Sequence, residues 1–363
     1  DTGNNYKSDS IAILGDSMVE GGGDDYLDSK IYNYSLGHHL HRISGKKIAV
    51  FGTGGTYLSQ QIALYESTMQ GKYWPLYKKR NQIDYPSKMI LFFYEGNDLI
   101  NNLHEIEQRG FDITRISNDD AKDEIGILME SEVLKLEEHW SWFDHLASWN
   151  LFSGLYKNYS MRFQTTEPDN QPTNIDYSRD RLEADDNQSK RTENIALING
   201  QEIDLGYSEG PALLLTDQEV SLSMEVFQQS LAYMKKNLPS SRIAVVYLPS
   251  SLSIYQFESQ HLRPAPLVMK GERRDHTFTP AKATENSLKL RNSVGTITNS
   301  LGLKFIDPTD SLQDSAKQTL LHGPRDPIHF NREGYLAFAE AILPQVKVLC
   351  EAAGVKPASN STN

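Results

Sequence analysis

Near the C-terminus the chain reads Asp326-Pro327-Ile328-His329-Phe330-Asn331, and near the N-terminus an apolar run, Ile11 to Leu14, empties into Gly15-Asp16-Ser17-Met18. A serine hydroxyl is a weak nucleophile at neutral pH. It becomes competent when a histidine takes its proton, and that histidine needs a carboxylate to fix its tautomer. Ser17, His329 and Asp326 are the candidate nucleophile, base and orienting acid. Each fragment alone is weak, because Gly-Asp-Ser occurs in many turns and Asp-x-x-His in many loops. Their value depends on a fold that brings the two ends of the chain together.

Such a fold is legible in the spacing of the apolar runs. Five short β-rich segments, Ser10 to Leu14, Lys47 to Phe51, Lys88 to Tyr94, Arg242 to Leu248 and Leu303 to Ile306, alternate with helical patterns. The helical stretches are Tyr26 to Ile43, Leu58 to Met69, Asp217 to Asn237, Thr284 to Leu301 and Arg332 to Cys350. Strands separated by helices make a parallel sheet covered on both faces. The expected plan is therefore α/β: a flavodoxin-like, doubly wound, five-stranded parallel sheet built from residues 1–98 and 211–355. A large insertion or cap spans 99–210 after strand three, because that interval is too long for a bare connection, and 356–363 form a flexible tail. Within the interval, Trp140 to Trp149 is aromatic, Thr165 to Arg191 is polar and charged, and Asn199-Gly200 between two apolar runs signals a hairpin.

Ligands of open α/β sheets bind beyond the carboxyl ends of the strands. Strand one ends at Gly15-Asp16-Ser17, strand two at Gly52-Thr53-Gly54-Gly55 and strand three at Glu95-Gly96-Asn97-Asp98, while Asp326 and His329 precede the last helix. Four segments thus converge on one rim. Taken in order, they resemble the sequence blocks of the SGNH, or GDSL-type, serine esterases and acyltransferases. The resemblance spans nearly the whole chain except the insertion. It implies Ser17 as nucleophile, Asp326 and His329 as acid and base, and an oxyanion hole made by the Ser17 N–H, the Gly55 N–H (Gly54 as second choice) and the Asn97 amide. Two departures stand out: Glu95 occupies the place of the usual glycine two residues before Asn97, and Phe51 that of an asparagine before Gly52. Neither removes a catalytic group, and Met18 for the usual leucine keeps size and polarity.

Composition narrows the partners. The net charge of −12 argues against phosphate-backbone binding, so nucleic acid is not an expected partner. The glycine-rich turn after strand two lacks both the Gly-Lys-Ser/Thr ending and the third glycine of nucleotide loops. The single cysteine, Cys350, cannot close an internal disulfide, and no Cys/His grouping has zinc spacing. Triad chemistry requires no metal and no organic cofactor. No stretch approaches the ~18 apolar residues of a membrane span. The opening Asp1-Thr2-Gly3 carries no methionine, and the expectation is an upstream signal or membrane anchor and extracytoplasmic work; a chain simply trimmed there is the equal alternative.

What the resemblance implies is hydrolysis of an O-acyl ester, with an acylated small molecule or polysaccharide as substrate and a short acetyl group on a carbohydrate favoured. The alternatives are an O-acetyltransferase acting on an exported polysaccharide, and a non-catalytic carbohydrate-binding protein. Other features have plainer readings. Asp16 and Asp98 fit local Asx or N-cap bonds. His38, His39 and His41 fit a partly exposed helix surface rather than a metal site, and Gly21-Gly22-Gly23-Asp24-Asp25 a flexible rim rather than a calcium loop. Arg263, Lys270, Arg273 and Arg274 either recognise an acidic substrate or lie on a solvated loop. Asn33, Asn158, Asn187 and Asn360 begin glycosylation sequons.

Overall fold

The computed structural model describes residues 10–25, 33–70, 86–108, 193–239 and 241–351. Strands β1 (Ser10–Gly15), β2 (Lys47–Gly52), β3 (Lys88–Tyr94), β6 (Arg242–Leu248) and β9 (Lys304–Ile306) form one sheet in the order β2-β1-β3-β6-β9. Every pairing in it is parallel. Counting only these strands, the order is the flavodoxin-like 2-1-3-4-5, in which the direction of winding reverses at β1. The chain is therefore a doubly wound α/β protein, as its spacing predicts.

Period-two alternation explains why the sheet is covered on both sides. Ala12 and Leu14 of β1, Met89, Leu91 and Phe93 of β3, and Ile243, Val245 and Tyr247 of β6 point to one face. That face is packed by α3 (Leu58–Gln70), α4 (Asp98–Gln108), α5 (Asp217–Asn237) and α7 (Pro280–Ser300). Ile11 and Ile13, Ile90 and Phe92, Val246 and Leu248 point to the other, under α2 (Leu36–Ser44), α8 (Thr309–Ala316) and α9 (Arg332–Glu351). Burying each such aliphatic or aromatic side chain is worth about 1.5–3 kcal/mol. Central strands β1 and β3 are wholly buried, whereas the edge strand β2 exposes Val50.

Helix ends follow local chemistry. Thr216 and Glu219 close a capping box on α5, and Thr279 caps α7 ahead of Pro280. Between α4 and β6, an antiparallel hairpin of β4 (Ile195–Ile198) and β5 (Gln201–Asp204) turns through Asn199 and Gly200, both at positive φ (49° and 74°), as the Asn-Gly signal requires. Its Ala196 and Ile198, with Leu205, pack into the second core cluster, while Leu99, Leu103 and Ile106 of α4 pack into the first. The remaining named elements are α1 (Ser17–Glu20), α6 (Ser251–Ile254) and the small hairpin β7 (Leu267–Met269)/β8 (Glu272–Arg274). Trp140 to Trp149 and Thr165 to Arg191 lie outside the described residues. Among the described residues, no helix is long and apolar enough to cross a membrane.

Two expectations need correction. The helix expected from Tyr26 begins, within the described residues, only at Leu36: Ser35 is extended, and Tyr34 turns inward to donate a hydrogen bond to the Gly21 carbonyl (2.7 Å). A tertiary bond outweighs the helical pattern there. His39 is not on an exposed surface but buried, and burial, with Arg42 beside it, lowers its pKa to about 4; His38 and His41 are exposed. Of the arginines after β6, Arg263 forks onto Asp275 (3.0 and 3.1 Å), Arg273 shares that carboxylate, and Arg274 forks onto Glu219 (2.7 and 2.9 Å).

His322, in the segment between α8 and α9, is fully buried, which lowers its pKa to about 3. The Tyr255 hydroxyl accepts from the Leu321 and His322 N–H groups (2.7 and 3.1 Å), so its own hydrogen points at His322 Nδ1 (3.0 Å). His322 is thus held neutral. Below pH 6.5 the unfolded chain takes up a proton at this histidine that the folded chain refuses until about pH 3. Stability should therefore fall as pH drops through that window, by about 1.4 kcal/mol per pH unit from this residue. Urea unfolding of His322→Asn, which keeps an acceptor but cannot charge, should show a shallower acid loss than wild type.

Candidate active site

The site is assembled at the carboxyl end of the sheet. β1 stops at Gly15, which cannot carry a side chain because a Cβ would lie 2.3 Å from Val19 Cγ2. Asp16 then caps α1 by accepting from the Met18 N–H (2.9 Å), and Ser17 opens that helix. The Asx reading of Asp16 holds. Asp98 likewise makes a local bond, accepting from the Tyr94 N–H (2.8 Å).

His329 reaches Ser17 from the segment between α8 and α9. The Asn331 side chain donates to the Leu320 carbonyl (2.8 Å), and its N–H to that of Leu321 (2.9 Å). Close packing follows at α9, where a Cβ on Gly334 would lie 2.1 Å from the Leu321 carbonyl oxygen. With the segment so fixed, His329 Nε2 lies 2.8 Å from Ser17 Oγ and Nδ1 lies 2.7 Å from Asp326 Oδ2. Asp326 Oδ1 accepts from the Ile328 and His329 N–H groups (3.1 and 3.3 Å). Burial pushes the Asp326 carboxyl up, but the His329 imidazole and the two N–H groups outweigh it and hold it at about 2. Burial disfavours the His329 cation; Asp326, with Asp16 and Glu209 behind it, outweighs that and raises the pKa.

The expected flexible rim is in fact a fitted wall. The Tyr34 hydroxyl binds the Gly21 carbonyl, the Tyr335 hydroxyl the Gly22 carbonyl (2.9 Å), and the Asp24 carboxylate accepts from the Arg325 N–H (2.9 Å). Gly22 thereby lies against the imidazole: a Cβ there would stand 2.8 Å from His329 Cδ2 and 2.9 Å from Nε2.

The other sequence-derived residues gather around Ser17 unevenly. Asn97 is half-buried, its amide beside Asp16 and its Oδ1 sealed from solvent without a partner. At the end of β2 it is Gly54 that packs on Ser17, 3.4 Å separating its notional Cβ from Ser17 Cβ. Its N–H donates to Glu20 Oε2 (2.7 Å). Gly55 follows at φ 72° with open space around its notional Cβ. Glu95, where the resemblance expects glycine, is buried and satisfied. It accepts from the Ser250 N–H and hydroxyl (both 2.8 Å), the Ser287 hydroxyl (2.7 Å) and the Tyr247 hydroxyl, tying β3 to β6 and α7.

Glu209 is the residue that sequence reasoning misses. It stands in Ser208-Glu209-Gly210, with no spacing relation to any motif, yet its carboxyl comes beside Tyr94, Asp16 and the His329–Asp326 pair. Among the described residues, no group of three or more His, Cys, Asp or Glu side chains is arranged to hold a metal ion.

No family model and no curated protein sequence matches the chain. Solved structures do. A carbohydrate acetylesterase family member from Sinorhizobium meliloti aligns over 94% of this chain and 98% of its own at 10% identity, with a TM-score of 0.31. An extracellular lipase from Streptomyces rimosus aligns over 94% and 99% at 8% identity, with a TM-score of 0.39. Similarity at this level carries no argument about activity. The fold class rests on the sheet order, which is the one that the resemblance to SGNH-type hydrolases implies.

The Gly22 contact yields a prediction. Gly22→Ala adds one methyl at a backbone without positive φ, so the protein should fold with a near-normal melting temperature. The methyl must displace the imidazole, and a displacement near 1 Å costs ~10²-fold in rate. Labelling of Ser17 by a serine-directed phosphonate should slow by that order while thermal unfolding barely moves.

Proposed function

We propose that this chain is a serine esterase that hydrolyses O-acyl esters through an acyl-enzyme, with an O-acetyl group on a carbohydrate as the favoured substrate. The observation that carries the reading is the unbroken chain from Asp326 through His329 to Ser17, at 2.7 and 2.8 Å. Serine and histidine in this contact have the geometry of an activated nucleophile.

In this mechanism Ser17 Oγ attacks the acyl carbon and its proton passes to His329 Nε2, while the Asp326 carboxylate stabilises the imidazolium. The new oxyanion faces the Ser17 N–H, the Asn97 amide and a glycine N–H of the turn after β2. Collapse breaks the bond to the alcohol, which leaves with the proton held on His329. Water, deprotonated by the same imidazole, then attacks the acyl-serine and releases the acid. A sugar hydroxyl in place of water would make the enzyme a transferase with no change of residues. The net charge of −12 and the polar chain suit a hydrophilic substrate, and an acylated polysaccharide met outside the cytoplasm is the partner this reading expects.

The test is hydrolysis of p-nitrophenyl acetate, butyrate and octanoate by wild type and Ser17→Ala, with labelling by a serine-directed phosphonate. Activity on acetate should exceed that on octanoate and fall by on the order of 10⁶-fold in kcat in the variant, the scale seen when such a nucleophile is removed. Equal rates for the two proteins, with no adduct on Ser17, would sink the proposal. Asn97→Ala should lower kcat by roughly 10²–10³-fold with KM little changed, as for loss of one oxyanion donor.

A further inference from the structure

Glu209 joins the site from the loop between β5 and α5, far in sequence from every motif. The loop is anchored: Ser208 bridges to Pro264, its carbonyl accepts from the Ala265 N–H (2.8 Å), and the Gly210 carbonyl accepts from the Ala212 N–H (2.8 Å). Glu209 Oε2 is sealed from solvent and receives no hydrogen bond. The groups facing it are Tyr94 from the end of β3, Asp16 from the turn after β1, Asp98 at the start of α4, and His329 with Asp326 from the segment before α9. Among the described residues facing it, His329 is the group that can supply positive charge.

A carboxyl buried among acids, with the neutral Tyr94 hydroxyl beside it and one oxygen left without a donor, is poorly solvated as an anion. The Tyr94 ring packs against Gly96, where a Cβ would lie 2.6 Å from its hydroxyl oxygen, and that hydroxyl lies beside Glu209. Among the described residues, a cation at His329 compensates that charge most strongly. Catalysis creates that cation each time Ser17 gives up its proton.

We propose that Glu209 is a positioning residue that acts through His329, a second carboxylate that, beyond Asp326, stabilises the imidazolium formed as Ser17 attacks. The inference deepens the esterase reading and rests on it for the role of His329. Burial pushes the Glu209 carboxyl up to about 7 against the pull of His329, and the same pairing helps raise the pKa of His329. Charge on either group therefore favours charge of opposite sign on the other. Asp16 and Asp98 are likewise raised by burial.

The test reads His329 directly. The rate of its carbethoxylation by diethyl pyrocarbonate, resolved by peptide mass spectrometry, reports the neutral imidazole as a function of pH and needs no turnover. In wild type the midpoint should lie above 6.5, the ordinary histidine value. Glu209→Gln keeps the side chain's shape and removes its charge, so the midpoint should fall by roughly half a pH unit or more. The acid limb of kcat/KM should move with it, with kcat lowered and KM unchanged, and Glu209→Asp should recover part of the shift. A merely structural role leaves the midpoint in place, and an unmoved midpoint in folded Glu209→Gln overturns the proposal. If that variant does not fold, Tyr94→Phe decides. Loss of the phenol lifts Glu209 further and should lower the midpoint in the same direction; no movement overturns the proposal there. Failure of the esterase reading would appear separately, as turnover indifferent to Ser17→Ala.

Discussion

One hydrogen bond sets the terms for the rest of the molecule: the 2.8 Å contact between Ser17 Oγ and His329 Nε2 joins residues 312 positions apart. Neither local structure nor chain entropy favours that meeting, so the whole sheet must supply it. β1 lies between β2 and β3 and ends beside the segment that enters α9, because α2 and α9 pack together over its second face. Tyr34 and Tyr335, one just before α2 and one in α9, stack obliquely (centroids 6.2 Å apart) and bind successive carbonyls of the glycine wall. The wall backs the imidazole, so the same helix pair that closes the core also aims the base. Core packing and the Ser17–His329 contact are one constraint here, and a Cβ at position 22 or 334 would violate it.

The electrostatics oppose the packing. Asp326 is compensated by an imidazole and two N–H groups, which is why it stays ionised although buried. Asp16 and Glu209 each keep one buried oxygen without a donor, and both are pushed toward the neutral acid. Folding a carboxyl into such a place costs stability, and a core built for stability alone would fill it with apolar side chains. In the proposed mechanism, negative potential that is costly in the resting site becomes favourable once the imidazole takes the serine proton. The physics of the ground state and that of the transition state have opposite signs at the same atoms.

How much of this was readable in the sequence depended on whether the cause was periodic. The strands β3 and β6 and the helix α5 coincide with the runs read from residue pattern, since alternation and capping are local signals. The Asn199-Gly200 turn was equally visible, because only particular residues accept its backbone. The start of α2 was not, because Tyr34 obeys a carbonyl thirteen residues away rather than its own neighbours. Within the site, the Ser17, Asp326 and His329 positions were found through motif order, and the meeting of their side chains is a property of the fold. The turn after β2 offered two glycines that the sequence could only rank, whereas packing sets Gly54 against the serine. Glu209 had no signal at all, since its partners come from four other segments.

The two glutamates near the end of β3 show why burial alone does not mark function. Glu95 is 1% exposed, and both its oxygens are filled by donors from β6, its following turn and α7. It replaces a glycine expected from the resemblance, and its bonds stitch two strands and a helix at the rim without facing the imidazole. Glu209 is held in a loop by backbone bonds that leave its Oε2 empty. A satisfied buried carboxylate has spent its charge on the fold, and moving it gains nothing. An unsatisfied one still seeks positive charge, and His329 is the source within its reach. Counting donors at each buried oxygen therefore separates the glutamate that builds the rim from the one that acts on the chemistry.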